Sequence, residues 1–525
     1  MPRWLARTSS LLAGASLVLA FAPFNLWWLA PVPLALLFRL WWCMPKQAIT
    51  LGWCFGLGLF TVGAHWIYIS LHDHGGMPAL VAGIALLGFA GFCALIPAAA
   101  GLLGRRLDGG NVDRTTLLVL PAAWTLFEWT RTWFCTGFPW LAIGYSQVPD
   151  SPLSAWLPLG GVYTASLCAA LIAGALANLS LRVLPATGAD ASTSLGPTSA
   201  ITRTWPAVGV LAGVAVMTAL VTPLQFTHPD GLPVSVALLQ GNIPQEDKFN
   251  AGHIGAGLRL YRDLADASHA RLIVMPESAV PLLRDDVPEG YLDSLAAIAR
   301  RNGGDLLVGM FDEPLPGEIH NSMFSLGQSP GRVYRKHHLV PFGEFIPLGG
   351  LVAPVMDALL KMPIGSQAAG PLGQGVMAVA GQRVAMDICY EDAFGEEIIT
   401  ALPAATLLVN VSNDAWFGMA VGPEQHLQMA QARSLETGRV MLRTTNTGVT
   451  ALIGPDGRVI DRVRKGVVAT LEGQAQGRTG STPFVRWGNL PLVWLSILML
   501  LAGGWPRLQA SLSDLWQRVR NLRES

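Results

Sequence analysis

Apolar stretches that are long enough to cross a membrane constrain this chain more than any other feature. Each approaches the roughly 20 apolar residues that a helix needs to span the hydrocarbon core of a bilayer. Because that core offers no water to the backbone, such stretches must satisfy their own hydrogen bonds as helices. We predict eight spanning helices, at about 8–24, 26–42, 47–71, 78–103, 115–133, 153–181, 205–223 and 488–505.

The first of these stretches has an alternative interpretation. Arg3 and Arg7 precede its apolar core, and the letters AFA at 20–22 resemble a cleavage site, so the stretch could instead be a secretory signal. The count of eight helices and the charge pattern described next treat it as a helix that is retained.

Charged residues are few and unevenly placed. They make up 13% of the chain, against about 25% in an ordinary soluble domain, and hydrophobic residues make up 51%. Charge is sparse before residue 225, ordinary from about 240 to 475, and nearly absent again until the C-terminal tail. We therefore predict a membrane region of seven helices at 1–224, a globular domain at 225–485, and a last helix with a basic tail at 486–525. The net charge of zero gives no indication of a nucleic-acid partner.

The distribution of arginine and lysine predicts the orientation in the membrane. Cytoplasmic connections carry an excess of these residues. On the other side, only Arg131 and Arg486 lie near the membrane, apart from the globular domain itself. Both termini are therefore predicted to face the cytoplasm, and the 225–485 domain to face outward. The residues that make up the excess are Arg3, Arg7, Arg39, Lys46, Arg105, Arg106, Arg114, Arg182, Arg203, Arg507, Arg518, Arg520 and Arg523.

Within the 225–485 domain, short apolar runs alternate with amphipathic stretches. The runs in PVSVALLQGNIP, ARLIVMPES, DLLVGMF, RVAMDICYED and ATLLVNVSND are typical of strands. The stretches 252–269, 289–301 and 423–438 are typical of helices, and TGVTALIGPDGRVIDRV predicts a hairpin with a PDG turn. Strands that alternate with helices predict an α/β domain of layered sheets and helices.

Three residues at or near predicted strands suggest nucleophilic catalysis. Cys389, in MDICYED, is the one cysteine of six in the polar domain, so no disulfide framework is indicated. A nearby carboxylate can take the proton of a thiol, and Glu277 in VMPESAV is the candidate for that role. A lysine, such as Lys336 in VYRKHHLVPFGEF, can stabilise the oxyanion that follows attack. Together they would form an acyl-transfer site if they converge in space, which spacing alone does not show.

The order of these motifs resembles a known superfamily. MPES, RKHHLVPFGEF, DICYED and NVSNDAWFG are similar to the nitrilase superfamily, which implies a four-layer α-β-β-α sandwich and a Glu-Lys-Cys triad that works through a thioester. FAPFNLWWLA, TGFPWLAIGYSQ, LLQGNIPQ and ARSLETGRVMLRTTNTG, set among eight predicted spans, resemble the apolipoprotein N-acyltransferases, a membrane-embedded family of that superfamily.

This resemblance implies roles for individual residues. Cys389 is the expected nucleophile, Glu277 the general base and Lys336 the group that stabilises the oxyanion. The family often has a tryptophan shortly after QGNIPQ, where this chain has Phe249, so an aromatic contact is expected to be kept there. The positions implied to lie near the triad or to shape the pocket behind the nucleophile are Glu344, Tyr390 and Glu391.

The family also implies substrates and a location. The donor is a membrane phospholipid, the acceptor is the α-amino group of the N-terminal diacylglyceryl-cysteine of an apolipoprotein, and no cofactor takes part. The protein is expected as a monomer in the bacterial inner membrane, with its catalytic domain in the periplasm. A membrane-anchored amidase acting on a small envelope substrate is the alternative, although it would need only one anchoring helix. A non-catalytic assembly factor would be free to lose Glu277, Lys336 and Cys389, yet all three are present.

Two further features have competing interpretations. His337 and His338 are adjacent, so on a strand they point to opposite faces, and no third ligand stands at a suitable spacing; we therefore predict no metal site. The apolar, Gly- and Pro-rich run 346–375 is either a mobile lid at the lipid surface or a loop with a short core helix.

Overall fold

The computed structural model describes residues 1–183, 197–347 and 367–524. The chain divides into two units. The first, here called the helical unit, comprises Met1–His65, Leu86–Leu224 and Asn489–Ser525. The second, here called the sheet unit, comprises Trp66–Ala85 and Gln225–Gly488. The three sequence segments proposed above, with boundaries at 224 and 485, stay a prediction.

Helices of the helical unit approach one another closely where their sequences carry glycine. A Cβ atom on Gly14 would lie 1.9 Å from the carbonyl oxygen of Phe55, and one on Gly58 would lie 2.0 Å from that of Leu11. Small residues of this kind let helix backbones pack in direct contact. The longer helices in or entering this part of the chain are Arg3–Leu17, Pro31–Cys43, Ala48–Gly63, Ala79–Cys93, Leu95–Leu107, Leu120–Thr130, Val162–Val183, Pro197–Val221 and Leu490–Glu524.

Several described helices are long and apolar enough to cross a membrane. Four segments meet this criterion: Ala79–Leu107, Val162–Val183, Thr204–Val221 and Leu490–Gln509. The number rises to five if the pair Trp27–Cys43 and Pro45–Gly63, bent by 113°, is counted as one span. The prediction of several spanning helices is therefore supported, and the count of eight stays a prediction.

Within its described residues, the sheet unit contains two six-stranded sheets and a short two-stranded one. Its strands are β1 (Thr227–Pro229), β2 (Val234–Gln240), β3 (Leu272–Val274), β4 (Asp305–Asp312), β5 (His320–Gly327), β6 (Val333–Arg335), β7 (Met377–Val379), β8 (Gln382–Ile388), β9 (Leu407–Ser412), β10 (Val440–Thr445), β11 (Ala451–Ile453), β12 (Val459–Arg462), β13 (Ala469–Ala475) and β14 (Arg478–Gly480). The first large sheet has the order β13-β2-β3-β4-β5-β6, the second β12-β11-β10-β9-β8-β7, and β1 pairs with β14.

The central strands of both large sheets are parallel. In the first sheet β2, β3 and β4 run parallel, and in the second β8, β9 and β10 do. Parallel strands are covered on both faces, which explains why β3 and β9 are rich in aliphatic residues and are buried along their whole length. The predicted hairpin is confirmed as the antiparallel pair β11 and β12.

The two large sheets pack face to face, and helices cover their outer faces. Val236 and Val274 of the first sheet share one apolar cluster with Val409 and Leu442 of the second. On the outer faces, separate clusters include Tyr261 beside the first sheet and Leu427 beside the second. The predicted helices of this domain are confirmed within two residues at each end; they are Ala251–Ala267, Tyr291–Arg301 and Gly422–Thr437. The shorter helices are Trp66–Ile69, Gln245–Lys248, Gly395–Ile398 and Pro483–Trp487.

The run 346–375 is described only at its two ends. Residues 348–366 lie outside the described residues, so the lid and the loop remain alternative predictions. Where the chain is described again, Gln367 donates its N–H to the carbonyl of Glu344 at 2.9 Å, and Gly370 donates to the carbonyl of Lys336 at 2.7 Å. The end of this run therefore lies beside two residues that the sequence places in the site.

Candidate active site

The carboxylate of Glu277 is held firmly in the turn that follows β3. It is 6% exposed. Its Oε1 accepts a hydrogen bond from Asn321 Nδ2 and its Oε2 accepts one from the backbone N–H of Asn413, each at 2.7 Å. Ser278, the next residue, has φ +47°, a left-handed conformation that is costly for a residue with a Cβ. The tertiary structure therefore fixes both the backbone and the carboxylate of the candidate base.

Lys336 follows β6 and faces two carboxylates. Its side chain is 1% exposed, and its Nζ lies 2.8 Å from Glu344 Oε1 and 3.6 Å from Glu277 Oε1. Burial by itself lowers the pKa of a lysine, but the charges of Glu344 and Glu277 outweigh it, and the pKa of Lys336 is raised above its ordinary value. Lys336 is therefore a permanent cation in the site, as an oxyanion stabiliser must be.

Cys389 lies directly after β8, at the parallel edge that also presents the residues after β9. Its backbone has φ +56°, and its carbonyl oxygen accepts hydrogen bonds from His426 Nε2 at 3.1 Å and Asn410 Nδ2 at 3.3 Å. Burial raises the pKa of the thiol well above its ordinary value; the charge of Glu277 raises it further and that of Lys336 lowers it. The resting thiol is therefore protonated, and the charges of Glu277 and Lys336 both act on it.

Glu344 joins the site from the loop after Lys336. Besides its contact with Lys336, its Oε2 accepts a hydrogen bond from the backbone N–H of Val340 at 2.8 Å. Asn321 donates to Glu344 Oε1 at 3.4 Å as well as to Glu277. Lys336 and Asn321 thus connect the carboxylates of Glu277 and Glu344, and the charges of Glu277 and Lys336 act on the thiol of Cys389.

Glu391 lies behind the nucleophile and binds backbone groups of two different segments. Its carboxylate accepts hydrogen bonds from the N–H groups of Ile388 at 2.6 Å, His337 at 2.7 Å and His338 at 3.1 Å. Burial raises the pKa of Glu391 to about 7, and these backbone donors act to lower it. Glu391 therefore connects the strand end that bears Cys389 to the segment that bears Lys336.

Tyr390, His338 and Phe394 form an aromatic cluster. Tyr390 is buried and packs edge-on against Phe394, with ring centroids 5.1 Å apart. The ring centroid of Tyr390 lies 5.8 Å from that of His338. His338 Nδ1 lies 2.8 Å from Glu397 Oε1, and His337 Nδ1 lies 2.8 Å from the carbonyl of Gly370. Within the described residues, no group of three or more His, Cys, Asp or Glu side chains is arranged to hold a metal ion.

Phe249 stands at the surface and its predicted role stays a prediction. It is half exposed, and its ring centroid lies 6.3 Å from that of Phe311. It directly follows the helix Gln245–Lys248, whose last residue reaches the site. Lys248 Nζ donates to the backbone carbonyl of Glu277 at 2.9 Å. Sequence analysis missed Lys248, because nothing in QGNIPQEDKF marks this lysine as buried.

A fully buried ionic cluster that the sequence analysis also missed supports the backbone of Cys389. His426 Nδ1 lies 2.9 Å from Asp414 Oδ1, and its Nε2 lies 3.0 Å from Asp392 Oδ1. Arg443 bridges the same two carboxylates, at 3.0 Å from Asp392 Oδ2 and 3.1 Å from Asp414 Oδ2. The sequence contains no motif that links these four residues. Asp392 and Asp414 lie in CYED and SND, and the histidine and arginine follow later in the chain.

The charge states of this cluster follow from its geometry. Burial and the neighbouring Arg443 act to lower the pKa of His426, but Asp392 and Asp414 outweigh them and raise it to about 9. Burial raises the pKa of Asp414, yet His426 and Arg443 outweigh burial and hold it well below its usual range. His426 is therefore an imidazolium at neutral pH, and the cluster balances two cations against two carboxylates.

Comparison with known proteins identifies the family to which the chain belongs. Residues 13–175 match the family described as apolipoprotein N-acyltransferase N-terminal domain, and residues 235–481 match the carbon-nitrogen hydrolase family. A protein of Nitrosomonas europaea named apolipoprotein N-acyltransferase is 44% identical over 494 residues, 93% of this chain and 95% of that protein. This chain belongs to the apolipoprotein N-acyltransferase family. A second relative of that name, from Chromobacterium violaceum, is 42% identical over 500 residues, 94% of this chain and 93% of its own length.

Membership of the apolipoprotein N-acyltransferase family confirms the coarse organisation predicted from the sequence. An N-terminal helical region precedes a nitrilase-like domain with two large sheets. Among solved structures, an amidase from Nesterenkonia sp. is 15% identical, with 50% of this chain and 96% of that one covered and a TM-score of 0.35. A TM-score that low carries no argument by itself, so the family assignment rests on the sequence relatives.

Proposed function

We propose that this member of the apolipoprotein N-acyltransferase family moves an acyl chain from a membrane phospholipid to an apolipoprotein. The acyl chain passes through a thioester on Cys389, and the acceptor is the α-amino group of the N-terminal diacylglyceryl-cysteine. The observation that carries the proposal is the convergence of a fixed carboxylate, a permanent cation and a thiol, in a chain that matches named N-acyltransferases over more than 90% of its length. Glu277, Lys336 and Cys389 are the proposed catalytic residues.

In the first half-reaction the thiol attacks the ester carbonyl carbon of the donor lipid. Glu277 takes the proton of Cys389 as the sulfur–carbon bond forms, since a thiol with a raised pKa needs a base within reach. The carbonyl oxygen becomes an oxyanion, which the ammonium of Lys336 stabilises. When the tetrahedral intermediate collapses, protonated Glu277 returns the proton to the departing lysophospholipid oxygen, and the acyl group stays on sulfur.

In the second half-reaction the acceptor amine attacks the thioester carbonyl. An α-amino group has a pKa of about 8, so a useful fraction is neutral near neutral pH. Glu277, again ionised, takes a proton from the attacking nitrogen, and Lys336 again stabilises the oxyanion. Collapse breaks the carbon–sulfur bond, the sulfur recovers a proton from Glu277, and the amide product leaves. Donor and acceptor thus use one site in turn, and no cofactor enters the scheme.

Both proposed substrates carry acyl chains that lie in a bilayer, so the active site must be accessible from the membrane. We propose a monomeric enzyme of the bacterial inner membrane with eight spanning helices, both termini in the cytoplasm and the catalytic domain in the periplasm. Described helices of spanning length and the excess of cytoplasmic arginine support this topology. The thioester must be shielded from water, because hydrolysis would turn the transferase into a phospholipase.

Intact-protein mass spectrometry tests the proposal directly. The purified protein is incubated with phospholipid vesicles alone, beside a Cys389→Ala variant that has the same fold and membrane insertion. We expect a fatty-acyl mass increment on the wild type only, and its loss after addition of a diacylglyceryl-cysteine peptide. Absence of the increment, together with turnover of small amides, would instead identify a membrane-anchored amidase.

A further inference from the structure

Lys248 is a second buried lysine at the site, and the mechanism above gives it no role. It ends the short helix Gln245–Lys248 and is 4% exposed, although lysine is almost never buried without a partner. Its Nζ donates to the backbone carbonyl of Glu277 at 2.9 Å. A buried ammonium that binds the backbone of the catalytic base demands an explanation, because moving such a charge out of water is costly.

The helix that carries Lys248 supports Glu277 from two directions. At one end, Gln245 Oε1 accepts a hydrogen bond at 2.8 Å from Asn413 Nδ2, and the backbone N–H of Asn413 holds the Glu277 carboxylate. At the other end, Lys248 holds the Glu277 carbonyl, next to the left-handed backbone of Ser278. One helical turn therefore restrains both the side chain and the strained backbone of the base.

Lys248 also adds a second positive charge beside the carboxylates of the site. Glu277 and Glu344 bring two carboxylates close to Lys336, which supplies one positive charge. Lys248 supplies the second, and its electrostatic partners are Glu277 and Cys389. Without it, the thiol would ionise beside an excess negative charge in a poorly solvated site, which would raise its pKa further.

We propose that Lys248 is a positioning residue of the transferase, which holds the Glu277 turn in place and supplies the positive charge that lets Cys389 ionise. This inference rests on the function proposed above and deepens it. It assigns no contact between Lys248 and substrate. Lys336 remains the cation that meets the oxyanion, and Lys248 acts on the base and the nucleophile.

The ionisable surroundings of Lys248 support a charged side chain at neutral pH. Burial lowers the pKa of Lys248 to about 8, while Glu277 and Cys389 act to raise it. The two acids on its own helix bind elsewhere: Glu246 lies 3.1 Å from His74 Nδ1, and Asp247 lies 2.6 Å from His253 Nδ1. The electrostatic partners of Lys248 are therefore Glu277 and Cys389 rather than the acids on its own helix.

Lys248→Met removes the charge and the donor but keeps the length of the side chain. Two rates are measured against pH: acyl-enzyme formation from phospholipid, and alkylation of Cys389 by iodoacetamide, followed by mass spectrometry of the peptide that carries Cys389. We expect acylation to fall about 10²-fold, the loss that a misplacement of about 1 Å produces. We expect the alkylation profile to move to higher pH by about one unit, as for loss of a nearby opposite charge. A purely structural lysine would leave that profile unmoved.

Two further variants separate charge from hydrogen bonding. Lys248→Arg keeps the charge and is expected to restore the pH profile, whereas Lys248→Gln keeps a donor without charge and is expected to leave the profile shifted. If Lys248→Met does not fold, Lys248→Gln decides the matter alone. Wild-type rates and an unmoved profile in Lys248→Met, or in Lys248→Gln, would overturn the inference.

The matched control is a lysine that also donates to backbone carbonyls but away from Glu277. Lys465 Nζ lies 3.2 Å from the carbonyl oxygens of both Met419 and Ala420. Lys465→Met is expected to acylate and alkylate like the wild type. A wild type that forms no acyl-enzyme would refute the proposed function, while the alkylation profiles would still report whether Lys248 acts on Cys389.

Discussion

Replacing His426 by glutamine tests whether a buried imidazolium supports the nucleophile. In the folded protein the pKa of His426 is raised from 6.5 to about 9 by Asp392 and Asp414, which outweigh burial and Arg443. At about 1.4 kcal/mol for each pKa unit, this difference corresponds to about 3 kcal/mol of stability. Because the folded pKa lies above the unfolded one, the contribution is complete below about pH 6.5 and is lost as the pH rises through about 9.

The thermal midpoint of the detergent-solubilised protein is the suitable measurement, taken at pH 6 and at pH 9.5. A loss of about 3 kcal/mol lowers the midpoint of a domain of this size by about 6–12 °C. We expect His426→Gln to show that decrease at pH 6 and a clearly smaller one at pH 9.5, where the wild type has lost the same charge. A difference that is equal at both pH values, or that grows with pH, would refute the reasoning.

His253→Gln provides the matched control for this experiment. His253 Nδ1 also lies against a carboxylate, that of Asp247 at 2.6 Å, but its side chain is 56% exposed. An exposed pair of this kind contributes little, so its loss is expected to change the midpoint by less than about 2 °C at either pH. The His426 variant should in addition acylate slowly at every pH, because the Cys389 carbonyl loses one of its donors.

Three further substitutions test individual parts of the site. Glu277→Gln should slow acyl-enzyme formation by about 10²–10⁴-fold, the usual contribution of a general base. Lys336→Met should slow it by about 10²–10³-fold through loss of oxyanion stabilisation, as measured by intact mass against time. Gly309→Ala should slow it by about 10²-fold, because the new Cβ would lie 2.6 Å from both the carbonyl oxygen of Pro276 and the N–H nitrogen of Ser278, and would displace the Glu277 turn.

Each control makes the same type of substitution at a residue away from the site. Glu289→Gln alters an exposed acid and should acylate at the wild-type rate. In Gly331→Ala the new Cβ would meet its nearest neighbour, the carbonyl of Ser325, at 3.5 Å, an ordinary contact that should leave the rate unchanged. Rapid acylation by Gly309→Ala would show that the turn can shift without harm, and rapid acylation by Glu277→Gln would remove the base from the mechanism.

The sequence predicted the elements of the sheet unit well because their patterns are local. The helices Ala251–Ala267, Tyr291–Arg301 and Gly422–Thr437 follow from stretches with a helical pattern, and β3 and β9 follow from short runs rich in aliphatic residues. Strand order was not accessible in the same way. The neighbours β13 and β2 are more than 200 residues apart along the chain, and only packing pairs them.

The sequence by itself determined which side chains can carry the chemistry. A single thiol in the polar domain, a carboxylate after an apolar run and a lysine near a predicted strand are recognisable as Cys389, Glu277 and Lys336 from the sequence alone. Only the tertiary structure decided which other charges serve them. From sequence alone, Lys248 and His426 would be predicted to be exposed to solvent, because burying a charge is costly. In the folded protein that cost is offset by partners from distant segments of the chain. Folding brings those partners together, so the buried charges that hold the catalytic residues depend on how the two sheets pack and not on any single sequence motif.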